Sequence, residues 1–234
     1  MQNRISESSS DVIFWHPGME CCDEIWEAAY CRFETPKQEM KKFIKRLCQL
    51  GVDRWEKHQQ VVELFCGQGM GLHALKKLGF SSIEGVDLSP HLLNQYQGTA
   101  QLYVGDCRDL KFEENSRDVL IVQGGLHHLP ELPSDLEQIL EEMSRVLRPG
   151  GHVIIVEPWL TPFLRFVLWV SKNKPLRKLW PKLDAFAVMT EQELTTYEQW
   201  LGQPEEILTL LNRYFDVEQQ RITFGKLMYV GRKS

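Results

Sequence analysis

A short apolar run, Val61-Val-Glu-Leu-Phe65, breaks into three glycines at alternating positions, Gly67, Gly69 and Gly71, and no other stretch restricts the fold as strongly. The Leu72-His-Ala-Leu-Lys-Lys-Leu78 that follows has helical apolar spacing and stops at Gly79, so the pattern predicts strand, tight loop, helix. Such a loop presents bare backbone N–H groups and a positive helix N-terminus to a ligand, with no Cβ in the way. The plain alternative is a tight connection without a ligand. A second apolar run, Ser82-Ile-Glu-Gly-Val-Asp87, ends in a carboxylate about twenty residues beyond the glycines, where nucleotide-binding α/β units accept hydrogen bonds from ribose hydroxyls. The spacing G-x-G-x-G departs from the dinucleotide fingerprint G-x-G-x-x-G, because Leu occupies position 72.

From Gln60 to Val156 strand and helix patterns alternate. Strands are expected near 60–65, 82–87, 100–105, 118–123 and 152–157, and helices near 70–78, 90–96 and 133–147, the last closed by Arg148-Pro-Gly-Gly151. Alternating elements with apolar strands imply a mostly parallel sheet with helices on both faces and ligands at the carboxyl ends of its strands. Four segments follow. Residues 1–58 are a loose polar tail (1–12) and an aromatic-rich helical cover, in which Thr35-Pro36 starts a helix running to Gly51. Residues 59–157 form the α/β core, and 158–203 an inserted lid longer than a connection requires. Residues 204–234 add a helix and two strands, near 216–223 and 226–232, joined by a hairpin at Phe224-Gly225.

At 234 residues, with 43% hydrophobic and 25% charged residues, the chain can bury a sizeable core without disulfides. Its six cysteines show no paired CxxC spacing and read as reduced thiols, with no metal site expected. A formal charge of −5 argues against a nucleic-acid partner, which needs a basic face. No leader-like apolar segment or membrane-length run appears, so a cytoplasmic location is expected. The oligomeric state is left open.

Five ordered markers across about 60–157 resemble the class I, Rossmann-like S-adenosylmethionine (SAM) dependent methyltransferases: Glu63 with the three glycines, Gly85-Val-Asp87, Val104-Gly-Asp-Cys107, Asp118 to Leu129, and Leu147-Arg-Pro-Gly-Gly-His-Val-Ile-Ile-Val156. The resemblance implies an α/β fold with a mostly parallel seven-stranded sheet whose last strand is antiparallel. It also implies SAM as methyl donor and S-adenosylhomocysteine as product. On that resemblance Glu63 approaches the methionine part, Asp87 the ribose, Asp106 and Cys107 the adenine, and Gln123 the fourth-strand end, with Gly67, Gly69 and Leu88 as further cofactor-binding residues. Asp106 read without it caps the next turn.

His127 and His128 are candidate general bases, since an imidazole titrates near neutrality. The same pair before Leu-Pro also suits a structural or cofactor-side role. Tyr30 and Arg32 from the cover, and Trp159, Tyr197 and Trp200 from the insertion, are weaker candidates for the acceptor wall, with ion-pair and core packing as the alternatives. No Asn/Asp-Pro-Pro-Tyr run follows the fourth strand, which with the acidic charge again speaks against nucleic-acid methylation. The expected activity is methylation of a small molecule, with oxygen as acceptor atom. Nitrogen or carbon of a small or lipid-like acceptor, and SAM binding without transfer, are the alternatives; a nicotinamide oxidoreductase is disfavoured by the glycine spacing. The basic-aromatic 159–180 piece also suits a membrane surface, although packing of the lid on the sheet is the preferred account.

Overall fold

Apolar residues alternate on both sides of the central strands, and this alternation organises the molecule. The computed structural model describes residues 12–17 and 24–234; Cys21, Cys22 and the tail expected over 1–12, Val12 apart, lie outside the described residues. One sheet contains β1 (Val12–Phe14), β2 (Gln60–Leu64), β3 (Ser82–Asp87), β4 (Gln101–Val104), β5 (Arg117–Gln123), β6 (Leu147–Pro158), β7 (Asp216–Thr223) and β8 (Lys226–Arg232). Their order is β1-β4-β3-β2-β5-β6-β8-β7. Pairings are parallel up to β6, whereas β8 runs antiparallel between β6 and β7. Val62, Leu64, Leu120 and Val122 enter one core and Val61, Val119 and Ile121 the other, so both faces of the sheet are buried.

The sheet has one strand more than the seven expected. Val12, Ile13 and Phe14 pair in parallel with Leu102, Tyr103 and Val104 and extend the β4 edge. Trp15 then stacks on Tyr103 at 4.3 Å and meets Phe112 edge-on. Gly105 makes that approach feasible, because a Cβ there would lie 2.6 Å from the Trp15 ring. Three residues are too short a run for strand alternation to register.

The helices are α1 (Glu24–Phe33), α2 (Pro36–Gln49), α3 (Met70–Lys77), α4 (Pro90–Leu93), α5 (Ser134–Val146), α6 (Pro162–Ser171), α7 (Lys174–Leu179), α8 (Pro181–Gln192), α9 (Leu194–Gly202) and α10 (Pro204–Tyr214). Thr35 and Gln38 cap α2 reciprocally, each side chain meeting the other's backbone N–H. The insertion is therefore four helices, α6 to α9, and α8 packs on α1 from the N-terminal cover. Together they roof the carboxyl ends of the strands. Phe224 and Gly225 both adopt positive φ, 44° and 78°, and close the β7–β8 hairpin as expected. Among the described residues no helix is long and apolar enough to cross a membrane.

Candidate active site

Strand β2 hands the chain to α3 through a loop in which Phe65, Gly67 and Gly69 have φ of 56°, 52° and 76°. Gly71 has a different reason to be glycine: a Cβ there would fall 1.8 Å from Oε1 of Glu63. The helix thus begins directly over a buried carboxylate. Burial, with the Glu39 and Asp87 charges added, raises the Glu63 pKa to about 8, against the Gln123 amide and the Leu72 N–H, which favour the ionised form. Despite that proximity, Glu63 Oε2 and both polar atoms of Gln123 lack a partner in hydrogen-bonding geometry. Orphaned buried polar atoms beside a glycine loop fit a polar ligand such as an amino-acid moiety.

Asp87 ends β3 and organises the loop. Its Oδ2 accepts the Gly67 N–H at 2.7 Å and its Oδ1 the Ser89 N–H at 2.9 Å. Burial raises its pKa, while those N–H bonds pull it down. Asp106, after β4, accepts the Arg108 N–H at 2.9 Å and pairs with the Arg108 guanidinium at 2.7 Å, and Arg108 reaches Asp135 at 2.9 Å. Burial opposes ionisation of Asp106, but the Arg108 bonds prevail and lower its pKa. The turn-capping account of Asp106 is therefore realised, and its carboxylate still borders the cavity described next.

A cavity of about 1230 Å³ runs from this loop to beneath the roof. Glu63, Gly67, Asp87, Leu88, Asp106 and Gln123 line one end. His127, His128, Tyr30 and Tyr197 line the middle, and apolar side chains of α6 and α8 the far wall. Five candidates do not line it. Gly69 packs under the Tyr96 ring, and Cys107 sits in the core, where burial raises its thiol pKa. Arg32 is half exposed and bonds Asp184 of α8 at 3.2 Å, so the ion-pair reading holds for it. Trp200 is fully buried and donates its indole N–H to the Pro158 carbonyl at 2.8 Å, with Trp159 edge-on against it. Both tryptophans are core. A tryptophan next to a cavity gains more by burying its whole ring once a carbonyl satisfies its N–H.

The histidines sit in a short 3₁₀ turn, Leu126–His128, immediately after β5. Glu157, at the end of β6 and fully buried, holds that turn: its Oε1 accepts the N–H groups of Gly125 and Leu126, both at 2.8 Å. Its Oε2 lies 2.7 Å from His127 Nδ1. A buried carboxylate there makes Nδ1 the protonated nitrogen and leaves the Nε2 lone pair free. Beyond it, Glu193, between α8 and α9, stands 3.9 Å from His127 Nε2 and 3.3 Å from His128 Nδ1. Burial raises the Glu193 pKa to about 7, and burial next to His127 lowers that of His128. His127, His128 and Glu193 offer ligand atoms within 4.8 Å of one another, a spacing compatible with one divalent ion and equally with an acid–imidazole cluster.

Glu157 and Glu193 are the residues that sequence reasoning missed. Glu157 carried a signal, a carboxylate directly after the apolar run His152–Val156 at the carboxyl end of a strand. Glu193 carried none.

Around Tyr30 the cover brings charges below the roof. Tyr30 stacks on Trp26 with centroids 5.0 Å apart and donates its hydroxyl to Glu39, while Lys42 pairs with Glu34. Burial raises the Tyr30 and Glu39 pKa values. Lys226, at the start of β8, is pushed down to about 7 by burial and by Arg46 and Lys42.

A methyltransferase-domain family model matches residues 62–155. The demethylmenaquinone methyltransferase of Staphylococcus aureus is 32% identical over 133 residues, which are 53% of this chain and 51% of that protein. A ubiquinone/menaquinone biosynthesis C-methyltransferase of Geotalea daltonii is 30% identical over 149 residues, 54% of this chain and 60% of that one. The chain thus spans about half the length of the curated relatives it matches. A protein of Pyrococcus horikoshii superposes with a TM-score of 0.67 over 91% of this chain and 100% of its own, at 18% identity, a likeness of fold alone.

Proposed function

We propose, from the match of residues 62–155 to a methyltransferase-domain model and from the likeness of the glycine loop and Asp87 to the class I SAM-dependent methyltransferases, that the chain transfers a methyl group from SAM to a hydroxylated, largely apolar small molecule. One observation carries this reading: a single cavity joins the glycine loop and Asp87 to a carboxylate-held imidazole and an apolar wall. When bound, SAM supplies a methyl group on a sulfonium, already electrophilic. Asp87 would hold the ribose, Leu88 and Asp106 border the adenine, and Glu63 with Gln123 receive the methionine part through their unpaired atoms. His127 Nε2 would take the acceptor's O–H proton and Glu157 would stabilise the resulting imidazolium, while the methyl carbon exchanges its bond to the sulfonium for one to the acceptor oxygen and S-adenosylhomocysteine leaves. The roof excludes water and keeps donor and acceptor aligned.

Oxygen is the direct acceptor on this route. A second reading, carbon, is favoured by the printed name of the Geotalea relative, a C-methyltransferase. The same base step serves it, because a deprotonated phenol carries negative charge on ring carbons as well as on oxygen.

Calorimetric titration with SAM, S-adenosylhomocysteine and, as control, NADH tests the cofactor. Binding by the SAM pair alone is expected; no binding by either would sink the proposal. A panel of apolar phenols and quinols, with the methylated position read by mass spectrometry and NMR, then separates oxygen from carbon. SAM binding without turnover on any of them would favour a non-catalytic SAM-binding protein.

A further inference from the structure

The lid buries one face and leaves the other bare. Leu164 and Ser171 of α6 and Leu183, Ala185 and Ala187 of α8 are buried, Leu164 in the core shared with the strands and α8 against α1, so internal packing accounts for the inner face. The outer face carries Phe163, Phe166, Trp169, Leu179 and Trp180, each more than half exposed, with Phe224 of the β7–β8 hairpin edge-on to Phe163 at 6.0 Å. Helix α7 buries no residue at all. A cluster of large side chains at this exposure is not a stable water-facing surface.

Charge identifies its occupant. Residues 159–183 contain four lysines and two arginines and no acid, in a chain whose net charge is −5. Lys172, Lys174, Lys178 and Lys182 are exposed around the aromatic cluster. Aromatic side chains ringed by lysines suit the headgroup level of an anionic bilayer, where the rings enter the acyl boundary and the ammonium groups meet the phosphates. Phe163, Phe166, Trp180 and Phe224 also line the cavity, so one apolar surface continues from the outside into the site.

We propose that α6, α7 and the β7–β8 hairpin tip form a monotopic docking surface for anionic phospholipid membranes, placing the cavity mouth at the bilayer. The proposal adds to the functional reading a source for the apolar acceptor, but the docking itself does not depend on methyl transfer.

The test is co-sedimentation of the full chain with phosphatidylcholine vesicles, with and without phosphatidylglycerol, read without acceptor or turnover. Binding is expected on the anionic vesicles and should weaken with salt. Lys172→Gln and Lys178→Gln should each weaken it about fivefold. Trp169→Ala with Leu179→Ala should weaken it about tenfold at unchanged charge. Trp169 is 70% exposed and Leu179 81%, so these variants keep the fold, which an unchanged SAM affinity checks. Absence of binding to anionic vesicles overturns the proposal, as does binding indifferent to Trp169 and Leu179. A dimer in light scattering that Trp169→Ala dissolves, without vesicle binding, would assign the face to a second copy of the chain instead.

Discussion

Replacing Glu157 by glutamine should remove the base without removing the fold. In the native site a single oxygen, Oε1, accepts both the Gly125 and Leu126 N–H groups at 2.8 Å, and Oε2 faces His127 Nδ1 at 2.7 Å. Glutamine is isosteric, so its carbonyl oxygen can keep both backbone bonds and its NH₂ must then face Nδ1. An NH₂ there donates, which forces the ring into the tautomer with the proton on Nε2, where it cannot accept one from the acceptor. Turnover should fall between about a hundredfold and ten-thousandfold, the range for losing a general base or inverting its tautomer. Exchanging charge-assisted bonds for neutral ones costs about 1–3 kcal/mol of stability, and each kcal/mol lowers the Tm by about 2–4 °C at this size. The assay is steady-state methyl transfer under saturating SAM, paired with calorimetric SAM affinity, which should not change. An unchanged kcat in a folded, SAM-binding Glu157→Gln protein would refute the dyad.

Asp87→Ala removes the acceptors of the Gly67 and Ser89 N–H groups as well as the proposed ribose contact, and should weaken S-adenosylhomocysteine binding at least about tenfold by calorimetry; equal affinity would reduce Asp87 to a loop anchor. Lys226→Met should stabilise the protein near pH 7, with an advantage that shrinks toward pH 10. The folded Lys226 pKa, about 7, lies below the unfolded value of about 10.4, so between them the unfolded chain binds more protons and native stability rises with pH. Arg46 and Lys42 disfavour the Lys226 charge, and Glu157 and Glu34 favour it; equal stability differences at the two pH values in urea titrations would contradict this account. Chelation by EDTA should leave turnover unaffected, since the proposed base step draws on the His127–Glu157 pair and needs no metal; a loss restored by added zinc or manganese would make His127, His128 and Glu193 metal ligands.

The sheet and the donor end of the cavity were legible in the sequence because their signals are local. Gly67 and Asp87 stand about twenty residues apart at the ends of neighbouring strands, a distance fixed by one βαβ unit. The acceptor end was not legible, because it is assembled from segments whose meeting depends on tertiary packing. Glu193 reaches the histidines only through the placement of α8 and α9, and Arg32 turned to Asp184 because α8 packs on α1. Trp159 and Trp200 have the same composition signature as a substrate wall; burial and the Pro158 carbonyl decided for the core. Glu157 was readable in principle, since a carboxylate finishing an apolar strand has to find donors or a ligand.

The roof joins stretches far apart along the chain, Arg32 and Asp184 being 152 positions apart. Closing so long a loop becomes favourable only once the sheet exists to hold both ends near each other. The strands should therefore consolidate first, leaving the glycine loop formed while the space above it is still open to water. In the folded protein the same order runs backwards: the roof should unfasten as one cooperative unit at a free energy below that of global unfolding, so a substrate too large for the cavity mouth gains a wider entry through that partial opening.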